Sequence, residues 1–361
     1  MNRLEQQLHF PFGDTLPAPG DALEVAPGVR WLRMPLPFAL DHVNLWLLRD
    51  RLDGREGWTI VDCGIDDAAT RAAWERVFET RLDGLPVLRV VATHMHPDHL
   101  GLAHWLTERW GCGLWISSTD WLAARLAVQS TLGHGGVSAA EHFARHGLRD
   151  PEAQRKVRAR GSYYASMVPA VPARHHRLMD GARLRIGGRD WHCIAGFGHA
   201  PEHIALHQPE AGVLISGDMV LPRISTNVGV TDGEPESDPL RLYLASLERL
   251  AALPPDTLVL PSHGRPFGGA QAGAGTGDLQ TRIAQLRAHH DERLAEVLAA
   301  CAEAPRNAAE LLPVLFRRPL DLHQTTFAIG EAIAHLHALW FEGRLERRIG
   351  EDGSYRFATL A

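Results

Sequence analysis

The stretch VVATHMHPDHLG, residues 90–101, ends an apolar run and then places three histidines and one aspartate within residues 94–99. Val90 and Val91 are typical of the last buried positions of a β-strand, so the polar cluster begins where that strand leaves its sheet. In α/β folds, ligands bind beyond the carboxyl ends of the strands. The stretch therefore predicts a strand followed by a chemically active loop.

The composition is that of an ordinary globular protein, with 361 residues, 45% hydrophobic and 22% charged. It allows one large domain or two, and it argues against disorder. The net charge of −6 disfavours a nucleic-acid partner, because binding phosphates requires a basic surface. Four scattered cysteines form no CxxC pair, and no signal peptide or membrane span is recognisable. We therefore expect a cytoplasmic protein with no membrane contact.

Strand-like and helical patterns alternate on both sides of the opening stretch. The strand-like runs cover residues 29–48 with a Pro-containing break, 58–64, 85–93, 113–117, 182–188, 190–196, 212–220 and 258–264. Helical periodicity covers residues 66–80, 100–111 and 240–253. This alternation predicts a layered α/β architecture in which helices cover two sheets from outside.

Two regions depart from this alternation. Residues 120–175 are mostly helical by composition, and they form either a surface excursion or a lid over a substrate pocket. A Gly-rich linker at 269–278 is followed by three helical patterns and a hairpin in 279–361. We interpret 1–268 as the main domain and 279–361 as a small winged-helix-like α+β domain.

The last segment is not expected to bind DNA. Residues 280–361 contain ten arginines against eleven acidic residues, so they lack the positive excess that phosphate binding requires. Arg344, Arg347 and Arg348 on the hairpin are the one feature that favours nucleic acid. We expect this segment to pack on the main domain or on a partner subunit, and the sequence leaves a homodimer open.

Four further polar motifs follow apolar strands: VDCG at 61–64, GFGHAPEH at 196–203, SGDMV at 216–220 and PSHG at 261–264. In a layered sheet they can converge on one rim. Imidazoles and carboxylates bind zinc, iron and manganese. Asp218 has two oxygens that can bridge ions about 3.5 to 4 Å apart. The predicted ligands are His94, His96 and His199 for one ion, and Asp98, His99 and His263 for the second.

Other polar residues near these motifs have two interpretations each. Asp62 either accepts a hydrogen bond from a ligand imidazole or caps a turn. His203 either faces the substrate or fills its turn. The loop at 221–230 follows Asp218, and its polar residues either line the pocket or serve turn chemistry; they are Ser225, Thr226 and Asn227.

The run from His94 to His99, followed in order by His199, Asp218 and His263, resembles the signature of the metallo-β-lactamase superfamily across about residues 25–268. The resemblance implies an αββα sandwich with two metal ions at the rim between the sheets. The C-terminal segment resembles the winged-helix appendix of the subgroup that includes hydroxyacylglutathione-hydrolase-like proteins and a ribonuclease-like branch.

Departures from the patterns of individual members narrow the expected activity. Zinc β-lactamases of the commonest class have a cysteine where this chain has Asp218, and flavodiiron members have an acidic residue where His96 stands. Antibiotic hydrolysis and oxygen reduction are therefore disfavoured. The basic residues that bind glutathione in glyoxalase II are not recognisable, which puts that substrate in doubt.

The leading hypothesis is a binuclear metal hydrolase that attacks a thioester or ester of the acyl-CoA, acyl-glutathione or lactone class with metal-bound hydroxide. Asp98 would orient the hydroxide and carry a proton to the leaving group. The expected cofactors are two divalent ions, zinc first, with iron or manganese as alternatives, and the expected partner is a small acyl substrate. Three alternatives stay open: a metal-dependent (ribo)nuclease, a mononuclear iron sulfur dioxygenase, and a ligand-sensing effector.

Overall fold

The computed structural model describes residues 3–129, 135–161, 163–269 and 277–360. In this part of the chain the strands are β1 (Leu23–Ala26), β2 (Val29–Pro35), β3 (His42–Leu52), β4 (Arg55–Val61), β5 (Val87–Val91), β6 (Gly113–Ser117), β7 (His176–Leu178), β8 (Arg183–Ile186), β9 (Arg189–Gly196), β10 (His203–Gln208), β11 (Val213–Gly217), β12 (Leu258–Pro261), β13 (Phe267–Gly268), β14 (Leu345–Ile349) and β15 (Tyr355–Thr359).

The same residues form the helices α1 (Ala68–Thr80), α2 (Pro97–Leu100), α3 (Ala103–Trp110), α4 (Ser118–Gln129), α5 (Gly136–Arg145), α6 (Pro151–Arg158), α7 (Pro239–Ala251), α8 (Asp278–Glu303), α9 (Ala308–Leu315) and α10 (Leu322–Phe341), after a 3-10 turn at Glu5–Gln7. The start of α1 is capped by a side chain: the Asp67 carboxylate accepts the Thr70 N–H at 2.7 Å. No helix in the described ranges has both the length and the hydrophobicity needed to cross a membrane.

The first sheet has the strand order β1-β2-β3-β4-β5-β6-β7. Its pairs are antiparallel from β1 to β4 and parallel from β4 to β7. The predicted run at 29–48 divides into β2 and β3 around its Pro-containing break. Because β4, β5 and β6 are parallel, the residues that follow each of them emerge at the same rim.

The second sheet has the order β13-β12-β11-β10-β9-β8, with β11 and β12 parallel and the other pairs antiparallel. Sequence analysis did not predict β10, whose sequence HIALHQ has polar residues at both ends. Every residue of β10 is buried, because it lies between β9 and β11 with the sheet covered on both faces. His203 is therefore the first residue of a central strand.

Three apolar clusters show how the layers pack. One contains residues of both sheets, including Trp31, Trp46, Trp191 and Ile215, and fills the space between them. A second packs α1, α3 and α4 on the outer face of the first sheet. The third packs α7 and α8 on the outer face of the second sheet. This is the αββα sandwich that the sequence resemblance implied, and the fold class is confirmed.

The insertion and the C-terminal segment are both largely helical. Helices α4, α5 and α6 lie in the predicted insertion, although residues 130–134 and 162 fall outside the described part of the chain. Most of the predicted linker, 270–276, is also outside it. Beyond it, α8, α9, α10 and the antiparallel pair β14 and β15 form the small α+β unit. Its apolar residues belong to the same cluster as α7, so it packs on the main domain.

A buried ion pair within the first sheet is hydrogen-bonded to the second sheet at the rim opposite the opening stretch. Arg89 Nη2 lies 2.7 Å from Asp50 Oδ2, and their side chains are 3% and 0% exposed. The Asp50 carboxylate also accepts the N–H of Gly187, in the turn between β8 and β9, at 2.8 Å. Arg89 donates to the Arg185 carbonyl of β8 at 2.8 Å. A pair in this position stabilises the contact between the sheets.

We expect Arg89→Ala to lower the free energy of unfolding by about 3 to 5 kcal/mol, because it leaves the Asp50 carboxylate buried without its charge partner. Glu75→Ala is the control, since it removes an ion pair with Arg109 in which both side chains are about two-fifths exposed, and such pairs contribute about 0 to 1 kcal/mol. Urea denaturation followed by circular dichroism measures both. Equal losses in the two variants would contradict this account of the sandwich.

Candidate metal centre

The polar motifs predicted to converge do so at the rim where β5, β11 and β12 end. His94 and His96 follow β5, and His99 lies in the short helix α2 that begins at Pro97. Asp218 follows β11, and His263 follows β12. His199 comes from the turn between β9 and β10 in the second sheet. The rim therefore receives groups from both sheets of the sandwich.

The first group consists of His94, His96, His199 and Asp218, whose candidate ligand atoms all lie within 4.8 Å of one another. His96 Nδ1 is 3.0 Å from His94 Nε2 and 3.1 Å from His199 Nε2. His199 Nε2 is 3.2 Å from Asp218 Oδ2. A tetrahedral ion with bonds of about 2.1 Å separates its ligand atoms by about 3.4 Å. The spacing of these atoms fits such an ion.

The second group consists of Asp98, His99 and His263. Asp98 Oδ2 is 3.6 Å from His99 Nε2 and 3.4 Å from His263 Nε2. Asp218 Oδ1 lies at the same two distances, 3.6 and 3.4 Å, from those nitrogens. Asp218 thus turns one oxygen to each group. Its Oδ1 and His99 Nε2 are buried and make no normal hydrogen bond to any described residue, as expected of atoms that face a cation.

The charges of the two groups differ. Burial lowers the pKa of His94 well below its usual value, so this imidazole is neutral, as a metal ligand must be. Burial alone would raise the pKa of the Asp98 and Asp218 carboxyls, but the neighbouring His99 and His263 hold both pKa values below their usual range. Against burial, these carboxylates raise the pKa of His263 to about 10. Two carboxylates that are largely removed from water therefore require positive charge, which fits divalent cations.

Asp62 orients His99. His99 Nδ1 donates to Asp62 Oδ2 at 2.8 Å, and both side chains are fully buried. The bond fixes the tautomer of His99 and directs its Nε2 to the second group. The Asp62 carboxylate also accepts the N–H of Thr93 at 2.7 Å. Of the two interpretations from sequence, the structure therefore has the hydrogen bond to the imidazole.

Two other histidines are oriented by backbone carbonyls. His199 Nδ1 donates to the Asn227 carbonyl at 2.8 Å, and His263 Nδ1 donates to the His42 carbonyl at 2.8 Å. In both cases Nε2 is left to face the site. The ring of His42 also accepts the N–H of Gly264 at 2.9 Å. Sequence analysis did not single out His42, because a contact through a backbone carbonyl has no residue-type pattern.

Asn44 is a second residue that sequence analysis missed. It is fully buried in β3 and joins the first sheet to the loop that carries His263. Its side-chain amide donates to the carbonyls of Pro261 and Gly264, each at 2.8 Å. Its Oδ1 accepts the indole N–H of Trp31 at 2.8 Å. The one available signal was a polar residue inside the apolar run VNLWLL.

Two of the residues considered for substrate contact, His203 and Thr226, bond the backbone of Asp218. His203 is fully buried, and its Nε2 accepts the Asp218 N–H at 3.2 Å. Thr226 is buried and donates its hydroxyl to the Asp218 carbonyl. Ser225 is half-buried, and Asn227 acts through its carbonyl. The side chains of His203 and Thr226 are buried against the backbone of Asp218, and their contact with substrate stays a prediction.

The insertion and the C-terminal segment both reach the edge of the site. The Tyr164 hydroxyl donates to the carbonyl of Met95, between two predicted ligands. The adjacent Tyr163 has its hydroxyl 3.4 Å from Nδ1 of His323, at the start of α10. The His323 ring stacks on Phe38 of the loop between β2 and β3, with centroids 5.7 Å apart. Three separate segments therefore form an aromatic edge beside the centre.

Comparison with known proteins identifies the family. A family model described as the metallo-beta-lactamase superfamily matches residues 39–263, and one described as the metallo-beta-lactamase-like C-terminal domain matches 294–360. The crystal structure of a beta-lactamase domain protein from Burkholderia ambifaria is 58% identical, with a TM-score of 0.93, and the alignment covers 99% of this chain and 100% of that chain.

Two curated relatives carry functional names. The probable metallo-hydrolase YqjP of Bacillus subtilis is 26% identical over 85% of this chain and 91% of its own length. A hydroxyacylglutathione hydrolase of Fuscovulum blasticum is 31% identical over 34% of this chain and 45% of its own length. The matched models and the shared fold lead to one conclusion: this chain belongs to the metallo-β-lactamase superfamily and has a metallo-beta-lactamase-like C-terminal domain.

Proposed function

We propose that this protein is a binuclear metallohydrolase that cleaves a thioester or carboxylic ester of a small acyl substrate. The observation that carries the proposal is the position of Asp218, whose two oxygens divide between the two groups of candidate ligands. One ion would be held by His94, His96 and His199. The other would be held by Asp98, His99 and His263, and Asp218 would contact both ions. Zinc is the proposed ion at each position, with iron or manganese as alternatives.

Two divalent ions held by these residues would supply a hydroxide near neutral pH and would polarise the carbonyl group of the substrate. The protein's own residues orient the ligands. His99, His199 and His263 are held in one tautomer by partners behind them, so the donor set is formed before substrate arrives. Preorganised donors need no rearrangement during the reaction, which lowers its barrier.

Asp98 is the residue proposed to move the proton. Its carboxylate is 19% exposed, against 10% for Asp218, so it faces the side from which substrate arrives. The charges of His99 and His263 hold its pKa low, so it is ionised and able to accept a proton from attacking water. It can then deliver that proton to the leaving group. A thiolate leaves with little such help, whereas an alkoxide needs more.

The structure gives less support to the nuclease alternative. Arg347 on the hairpin lies 3.0 Å from Glu236 and packs over the ring of Trp340 with its guanidinium 4.0 Å from the ring centroid. Arg348 forms an ion pair with Glu346, and Arg344 lies 3.5 Å from Glu342. Each hairpin arginine therefore has an acidic neighbour, and a basic track for a phosphate backbone needs unneutralised charge.

The test is metal titration into chelator-stripped protein with a panel of acyl-CoA, S-acyl-glutathione, lactone and nitrophenyl-ester substrates. We expect hydrolysis of at least one, rising until two equivalents of metal are bound and falling again when chelator is added. An RNA and an alkyl sulfate complete the panel, the latter because a relative is named linear primary-alkylsulfatase. Metal-dependent cleavage of only these two, or of nothing, would overturn the proposal.

Asp218→Ala is expected to abolish nearly all activity and to weaken both metal equivalents, because one carboxylate serves both groups. The loss in activity should exceed about 100-fold, the upper end of the effect of residues that only orient ligands. Metal content after gel filtration and steady-state kinetics provide the two measurements. Retention of two tightly bound ions would contradict the bridging assignment.

Asp62→Ala should act more mildly, lowering metal affinity or activity by about 10- to 100-fold. The substitution removes the acceptor of the His99 Nδ1–H but leaves every proposed ligand in place. Asp62→Asn is the matched variant, since its amide oxygen can still accept that hydrogen bond, and it should lose less than the alanine variant. If Asp62→Ala were as damaging as Asp218→Ala, the ranking of the two residues would be wrong.

A further inference from the structure

The insertion contains a fully buried carboxylate near the loop that carries His94 and His96. Asp120 lies in the first turn of α4, which follows β6 directly, and its side chain is completely removed from solvent. Because β5 and β6 are parallel neighbours, the residues that follow them emerge at the same rim. A carboxylate buried this deeply is stable only when its oxygens accept hydrogen bonds, so its partners define its role.

The partners of Asp120 belong to the two segments that supply most of the first group of candidate ligands. Its Oδ1 accepts the N–H of Met95, which lies between the two histidines of the first segment, at 2.8 Å. Its Oδ2 accepts the N–H of Glu202, in the turn that carries His199, at 2.7 Å. One carboxylate therefore connects a loop of the first sheet to a turn of the second, and these two segments provide three of the four members of that group.

The insertion also holds the other polar group of the Met95 backbone. The Tyr164 hydroxyl donates to the Met95 carbonyl, and the ring of this tyrosine is buried in the apolar cluster on the outer face of the first sheet. The N–H and the carbonyl of one residue are thus both bonded to side chains of the insertion. Because Met95 lies between two candidate ligands, the conformation of its backbone determines where both imidazoles begin.

We propose that Asp120 is a positioning residue of the metal centre: it fixes the Met95 loop relative to the turn of His199. The insertion therefore determines the metal affinity of the first group. The second group has its own supports, since the hydrogen bonds that orient His99 and His263 come from other segments. The inference rests on the metal-binding part of the proposed function and is independent of the identity of the substrate.

The experiment measures the zinc affinity of the full-length protein by competition with a chromophoric chelator, so that it does not depend on turnover. Asp120→Ala removes both loop bonds and leaves every candidate ligand in place. It should weaken one of the two zinc equivalents by about 10- to 100-fold, the range for groups that orient ligands, and change the other by less than about threefold. The weakened equivalent should be the one that His199→Ala loses and His263→Ala retains.

Ser117 provides a matched control on the same carboxylate. It is also fully buried, and its hydroxyl donates to Asp120 Oδ2 at 3.1 Å. Ser117→Ala removes this bond and keeps the bonds from Met95 and Glu202, so the affinities for both zinc equivalents should stay within about threefold of the parent values.

Two milder variants keep the test valid if Asp120→Ala folds poorly. Asp120→Asn has one acceptor oxygen and one amide donor, so it can keep one of the two loop bonds, and its zinc affinity should fall between those of the parent and Asp120→Ala. Tyr164→Phe removes only the hydroxyl that bonds the Met95 carbonyl, and it should cause a smaller loss in the same zinc equivalent.

Three results would overturn the proposal. The first is equal weakening of both equivalents, in step with a lower unfolding temperature of the metal-free protein, which would make Asp120 a structural residue only. The second is an unchanged zinc affinity in Asp120→Ala, and the third is a loss of the same size in Ser117→Ala. Failure of the parent protein to bind two zinc ions would instead count against the proposed function itself, before any variant is compared.

Discussion

The whole site depends on holding two carboxylates, Asp98 and Asp218, close together in one largely buried rim. One of their oxygens, Asp218 Oδ1, accepts no hydrogen bond from any described residue. Two such charges repel each other and lose their hydration on burial, so the arrangement is stable only with positive charge between them. In the polypeptide this charge comes from His99 and His263, whose nitrogens lie 3.4 to 3.6 Å from the carboxylate oxygens. Divalent ions can take over that role, with the imidazoles neutral.

The sandwich meets this constraint by placing the donors in the short segments that follow its strands and by holding several of them with hydrogen bonds from behind. Asp62 follows β4 with a φ of 63°, a left-handed conformation that asparagine and aspartate tolerate better than most residues. In that conformation its carboxylate reaches both Thr93 and His99. Asn44 ties β3 of the first sheet to the loop of His263. Contacts between the two sheets therefore set the geometry of the site.

The C-terminal domain packs against the part of the main domain that carries Asp218. Its helices share an apolar cluster with α7 and with the loop after Asp218, through residues such as Val228, Val230 and Ile329. Balanced charge predicted that this segment would pack against protein, and the prediction agrees with the described contacts. The contact of α10 with that loop, in which the Val230 N–H donates to the Gly330 carbonyl, had no signal in the sequence, because the two residues are far apart in the chain.

The sequence by itself determined the donor chemistry and most of the elements. Spacing within residues 94–99 indicated two sets of ligands, apolar periodicity located α1 to within a few residues, and the C-terminal segment was predicted as three helices and a hairpin. It missed β10, and it left Asp62 and His203 ambiguous. Only the tertiary structure placed these residues in the fold and introduced His42 and Asn44 behind the site. The physical reason is that local patterns record which side chains a strand or helix buries, whereas ligand orientation depends on carbonyls and carboxylates brought close by packing between distant segments.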